Sequence, residues 1–137
     1  MAVLIDTSFL VALAVPTDRN YRLAQAAYPL LNTVMVLPIP VLPELFYMVM
    51  TRVNYATAVR SYNFLNGAGF QVEALTPQDR NRMSEIMDKY ADVEFDFVDM
   101  AIMALSERLN ITRVCTFDRR DFSIYRPSHC DYLELLP

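Results

Sequence analysis

The sequence predicts an α/β domain built on a mainly parallel sheet with helices on both faces. Two observations predict it. Short apolar runs alternate with longer helix-like segments, and no internal repeat, low-complexity tract or linker interrupts the alternation. Apolar residues make up 54% of 137, enough for one sizeable core, and 20% charged residues excludes a disordered composition. The length fits a single domain over residues 1–137.

The elements follow in order. Ala2–Ile5 (AVLI) reads as a buried strand. Asp6, Thr7 and Ser8 then offer side-chain oxygens suited to a helix start, and residues 9–14 continue as a helix that Pro16 stops. A second helix opens at Asp18 or Asn20 and runs to about Leu31. Residues 34–36 are a strand, and Pro38 and Pro40 precede a helix over 41–53. Residues 57–66 form another helix, ended by Gly67, and 70–74 a third strand. Thr76, Pro77 and Asp79 make a strong start for a helix reaching about Tyr90. Residues 97–109 form a helix that buries Val98, Ala101, Ile102, Leu105 and Leu109. Residues 113–116 are a strand meeting an acidic turn at Asp118, and 132–135 are the last strand.

Composition excludes several functions. With only two glycines, neither glycine-rich phosphate-binding motif occurs. Cys115 and Cys130 match no disulfide framework or zinc spacing, and read as reduced thiols of a cytoplasmic protein. Asp6 interrupts the apolar start, which lacks a basic flank, so it does not read as a signal peptide. No uncharged apolar stretch is long enough to span a membrane. The net charge of −4 opposes nucleic-acid binding by the molecule as a whole. A local basic groove must answer that objection, and every basic residue except Lys89 is an arginine, the side chain suited to bidentate phosphate contacts.

Four acids have apolar flanks that hold them in place. Asp6 follows AVLI, Glu44 lies in PVLPELFYMVM, Asp99 in DFVDMAIMAL and Asp118 in VCTFDRRDF. Asp96 is a fifth, one turn before Asp99. Each has an ordinary role open to it. Asp6 and Asp96 could cap helices, Glu44 and Asp99 could favour a helix dipole, and Asp118 could shape a turn. Their joint placement argues for more, because all lie just after a strand or at a helix start. An open parallel sheet carries its ligand site beyond the carboxyl ends of its strands. Gathered carboxylates repel unless a cation is present, and acids without His or Cys suit Mg²⁺ or Mn²⁺ and phosphate-ester chemistry. The lone histidine, His129, reads as an ordinary surface residue of a loop.

The segments LIDTSFLVAL, PIPVLPELFYMV, DFVDMAIMALSERL and TRVCTFDRRDFSIYRP resemble, in order and spacing, the PIN-domain ribonucleases of the VapC toxin type. The resemblance covers nearly the whole chain. It implies a three-layer α/β/α sandwich and Mg²⁺- or Mn²⁺-dependent endoribonuclease activity. It also implies a cognate antitoxin partner. By position, Asp6, Glu44, Asp99 and Asp118 become the catalytic and metal-binding quartet, with Asp6 and Asp99 the firmest ligands. Thr7 and Ser8 match hydroxyl positions after the first acid, and Asp96 is accessory. Met100 departs from the small residue common after the third acid, which crowds the helix but removes no ligand. The implied chemistry is attack by a metal-activated water, leaving a 5′-phosphate.

Arg119, Arg120 and Arg126 are placed to contact RNA phosphates or to pair with carboxylates. Tyr47, Tyr55 and Tyr125 could stack on bases, although packing is the commoner role. The high apolar content favours a homodimer as well as an antitoxin surface, with Phe46, Tyr47, Met48, Met50 and residues 24–31 as candidates. Three rival readings remain. A phospho-receiver needs paired acids after the first strand and a late lysine. An aspartate-nucleophile phosphatase needs an acid where Ser8 stands. A PIN-fold module that binds RNA or protein without catalysis would not need the quartet.

Overall fold

The computed structural model describes residues 1–137. Five strands form one parallel sheet: β1 (Ala2–Ile5), β2 (Val34–Pro38), β3 (Gln71–Glu73), β4 (Arg113–Cys115) and β5 (Glu134–Leu136). Their spatial order is β3-β2-β1-β4-β5. The helices are α1 (Thr7–Ala14), α2 (Tyr21–Ala27), α3 (Val41–Arg52), α4 (Tyr55–Gly67), α5 (Pro77–Lys89), α6 (Phe97–Arg108) and α7 (Arg120–Ile124). A 3-10 turn at Tyr28–Leu30 extends α2.

The order explains the layers. From β1 to β3 the chain steps outward in one direction, and from β3 it returns past β1 to β4 and β5. Right-handed crossovers therefore put α1–α4 on one face and α5–α6 on the other. The helix packing agrees: α1 through α4 pack against one another, and α5 and α7 against α6. This is the three-layer α/β/α arrangement.

Burial follows position. Val3, Leu4 and Ile5 on central β1 are fully buried, as expected of a strand covered on both faces. The edge strands β3 and β5 have three residues each, a length that limits edge-to-edge pairing. Helix α6 is buried continuously from Val98 to Ser106, including Met100, which joins the core without displacing Asp99 from its first turn.

Some boundaries differ from expectation. Helix α4 begins at Tyr55 because Asn54 caps it, accepting from Thr57 N at 2.8 Å. Strand β2 continues to Pro38, paired with Glu73. Helix α7 was not anticipated. Its five residues are too few to show a helical period. Asp6 sits at the N-cap position of α1 but makes no capping bond, whereas Asp96 caps α6 by accepting from Val98 N at 3.2 Å.

Candidate active site

The strand order reverses between β1 and β4, and the acids collect there. Asp6 leaves β1 with its amide bonded to the Cys115 carbonyl of β4 at 3.0 Å. Its side chain is buried. Ser8 Oγ donates to Asp6 Oδ2 at 2.9 Å and Thr116 Oγ1 donates to the same oxygen at 2.7 Å. Each hydroxyl also accepts a backbone N–H from the loop after β4, Phe117 N to Ser8 and Asp118 N to Thr116, both at 3.0 Å. The two hydroxyls also stand 3.0 Å from each other, and Thr116 Oγ1 lies 3.3 Å from the Asp118 carbonyl, so Asp6 Oδ2 sits in one connected hydroxyl network. Asp6 Oδ1 is left without a side-chain donor. Burial raises the Asp6 pKa, the two hydroxyls oppose that rise, and Asp118 adds to it.

Asp99 stands on the first turn of α6, 2% exposed. Its Oδ2 is buried with no hydrogen-bond partner. Burial, then the charge of Asp6, then contact with Asp121, and the charges of Asp118 and Asp96 push its pKa up to about 10. Glu44 is half-buried on the first turn of α3. Burial raises its pKa, the nearby Thr7 hydroxyl lowers it, and the charges of Asp96 and Asp6 raise it. Asp96 and Asp118 are exposed at the rim. The residues expected to cluster therefore sense one another electrostatically, although they come from four separate segments.

The donor set fits a hard divalent cation. An orphaned buried carboxylate oxygen is costly in a protein interior. Here it sits among other carboxylates and no arginine or lysine bonds to Asp6, Asp99 or Glu44. The Thr7 hydroxyl is also buried without a partner. All the available ligands are oxygens, the preference of Mg²⁺ and Mn²⁺. No three acidic, His or Cys side chains stand close enough together to hold an ion by themselves, so water would have to supply much of its shell.

Other expected residues divide. Arg119 and Arg120 are exposed beside the rim, but Arg119 donates to the Pro137 carbonyl and Arg120 pairs with Asp121 at 2.8 Å. Arg126 bonds to carbonyls at the end of α7, including Ser123 O at 2.7 Å. Tyr47 and Tyr55 are exposed, while Tyr125 is fully buried with its hydroxyl on Glu107 and has no face for a base. His129 is half-buried, its Nε2 2.9 Å from the Ile111 carbonyl.

Two functional candidates were missed. Thr116 was read as the end of a strand, and the short spacing Thr116–Asp118 was its only signal. Asp121 is 5% exposed and lies against Asp99. An apolar groove of about 600 Å³ lies elsewhere, between α1, α2, α3 and α4, and none of the acids lines it.

The PIN domain family model matches residues 3–126. The chain is 27% identical over 124 residues to Ribonuclease VapC26 of Mycobacterium tuberculosis, an alignment covering 90% of this chain and 92% of that protein. Its fold is similar to that of Mycobacterium tuberculosis VapC20, described as a sarcin-ricin loop cleaving toxin, with a TM-score of 0.83, 23% identity, and 93% and 98% of the two chains covered. It is also similar to a chain in a toxin-antitoxin complex from Klebsiella pneumoniae, with a TM-score of 0.68, 19% identity, and 89% and 91% covered. The family match spans all the segments that carry the acids, and the chain belongs to the PIN domain family.

Proposed function

We propose that residues 1–137 form a single PIN-like domain acting as a Mg²⁺- or Mn²⁺-dependent endoribonuclease, the toxin of a toxin–antitoxin pair. The observation that carries the nuclease reading is Asp99 Oδ2, buried and unpartnered near Asp6, with no arginine or lysine bonded to either acid. Asp6 and Asp99 would hold the ion most firmly, with Glu44 and Asp118 completing the quartet. When bound, the ion supplies Lewis-acid polarisation of the phosphoryl group and a water of lowered pKa. Ser8 and Thr116 fix the direction of Asp6 by bonding one of its oxygens, Oδ2, and leave Oδ1 for the ion. Thr7, whose buried hydroxyl lies near Glu44, orients a ligand or water, and Asp96 secures the start of α6. Arg119, exposed beside Asp118, contacts a backbone phosphate of RNA; Arg120 has less freedom to do so because of Asp121.

The relatives support the remaining assignments. A ribonuclease and a toxin are the names borne by the similar proteins, and one fold neighbour is in complex with an antitoxin. The apolar groove lined by Leu10, Leu13, Tyr28, Leu45, Phe64 and Leu65 suits an apolar segment of such an antitoxin. Exposed Leu30 and Tyr47 offer further apolar surface for the antitoxin or for a homodimer. No helix is long and apolar enough to cross a membrane, and the reading assigns the protein to the cytoplasm with its RNA.

The test is incubation of the purified protein with total RNA in the presence of Mn²⁺, Mg²⁺ or a chelator. The expected products carry 5′-phosphates and vanish with the chelator. Chelator-resistant cleavage overturns the metal-dependent reading, and absence of cleavage with either ion overturns the nuclease reading. Co-expression with the adjacent open reading frame tests the toxin reading separately, with a small co-purifying protein as the expected result.

A further inference from the structure

The loop that delivers Asp99 to the site contains an unusual backbone. Glu94 has φ 57°, the left-handed region that side-chain-bearing residues seldom occupy. Two neighbouring side chains of α7 grip this turn at points on either side of Glu94. Arg120 donates from one guanidinium nitrogen to the Val93 carbonyl at 3.3 Å. The buried Asp121 accepts from the Asp96 N–H at 3.2 Å. Arg120 and Asp121 are also paired to each other at 2.8 Å, so the two grips are coupled. Asp96 caps α6, and Asp99 lies one turn beyond it. Helix α7 in turn follows directly on the loop that bears Asp118.

We propose that the Arg120–Asp121 pair is a positioning clamp: it holds the strained turn at Glu94 and thereby fixes the start of α6 and the direction of Asp99 relative to Asp118. The clamp joins the third and fourth acids of the quartet through backbone bonds, and neither of its members needs to touch the ion or RNA. It also accounts for a buried carboxylate beside Asp99. Asp121 has a cation of its own in Arg120, so it can lie there without competing for the ion. This inference rests on the metal-site reading given above.

Two readouts test it. In the metal-free protein, the Asp96 amide should exchange slowly with solvent deuterium. Asp121→Ala should abolish that protection, while Asp121→Asn, which keeps an acceptor, should retain much of it. Mn²⁺ binding followed by calorimetry should weaken by about 10–100-fold in Asp121→Ala, the scale found for residues that orient metal ligands. Asp121→Asn and Arg120→Gln should weaken it less. Glu94→Gly relieves the left-handed strain, so adding it to Asp121→Ala should recover part of the lost Mn²⁺ affinity. A residue that merely stabilised the fold would not show that rescue at a temperature where both variants are fully folded. Unchanged Asp96 exchange in Asp121→Ala, or unchanged Mn²⁺ affinity in all three single variants, overturns the clamp. A parent protein that takes no Mn²⁺ overturns the metal-site reading instead, and is recognised by the parent titration alone.

Discussion

Asp79 and Asp99 are 1% and 2% exposed, yet their protonation is driven in opposite directions. Burial pushes Asp79 upward, but the Arg108 guanidinium, bonded to both its oxygens at 2.9 and 3.0 Å, and the Thr76 amide at 2.8 Å hold it below the usual range. Near the end of α6, Glu107 is likewise held down to about 2, against burial, by Arg82 at 2.8 and 3.2 Å with help from the Tyr125 hydroxyl. At the start of the same helix, Asp99 has no cation and rises to about 10. Depth does not separate an ion-paired structural acid from the proposed metal ligand here. The presence or absence of a built-in counter-charge does.

The largest effect should come from removing an unpaired acid. Asp6→Asn and Asp99→Asn should each lower RNA cleavage by at least about 10²-fold, the scale of losing one electrostatic stabiliser, while the proteins remain folded by circular dichroism. Full activity in either variant would remove that residue from the site. Mn²⁺ at a hundredfold excess over its Kd should stabilise the parent protein by ~2.7 kcal/mol, and a thermal or urea melt reads it.

Next in size is the paired end. Glu107→Gln should destabilise the protein by about 2–3 kcal/mol in urea denaturation, because it leaves Arg82 without its carboxylate. The two ends should also respond oppositely to pH. Glu107 has its folded pKa lowered from 4.5 to about 2, so its stabilisation is present above 4.5 and is lost as pH falls toward 2. Asp99 has its folded pKa raised from 3.8 to about 10, so the metal-free native state holds an extra proton in that window and loses stability as pH rises through it. Asp99→Asn should flatten that decline, and a melt series with and without the substitution measures the difference.

Smaller effects should follow from residues that act on Asp6 or on RNA at a distance. Thr116→Val keeps the shape of the side chain and removes one of the two bonds to Asp6 Oδ2. It should reduce cleavage about tenfold and cost about 1 kcal/mol of stability. Arg119→Ala should weaken RNA binding evenly across sequences and reduce the slope of log affinity against log salt by about 1. An unchanged slope would show that Arg119 meets no phosphate.

The chain's periodicity made the alternation of strands and helices legible, and with it the location of Asp6 and Asp118 at strand ends. Asp99 and Glu44 were legible as acids at the starts of apolar helices. Thr116 and Asp121 were not, because their roles depend on partners 110 residues away at Asp6 and 25 residues away at Asp96. No local spacing records such contacts. Arg120 illustrates the same limit from the other side: the sequence leaves a phosphate contact and a carboxylate partner both open, and only the fold shows the pairing with buried Asp121. The burial of Tyr125 is a third case: its hydroxyl meets Glu107 and its ring meets Tyr90, both distant in sequence.

The bond from Thr116 to Asp6 has a consequence for synthesis. Central strand β1 emerges first, but one of its two neighbours, β4, is separated from it by more than a hundred residues. Loop closure over that span must come before the contact forms, and chains grow at roughly 5–20 residues per second. For several seconds a ribosome therefore carries a chain whose first acid has neither the Thr116 hydroxyl nor its backbone partner on β4. Any nuclease capacity built on this site stays dormant until the segment bearing Thr116 and Asp118 has been made, and a chain broken off before residue 116 lacks both.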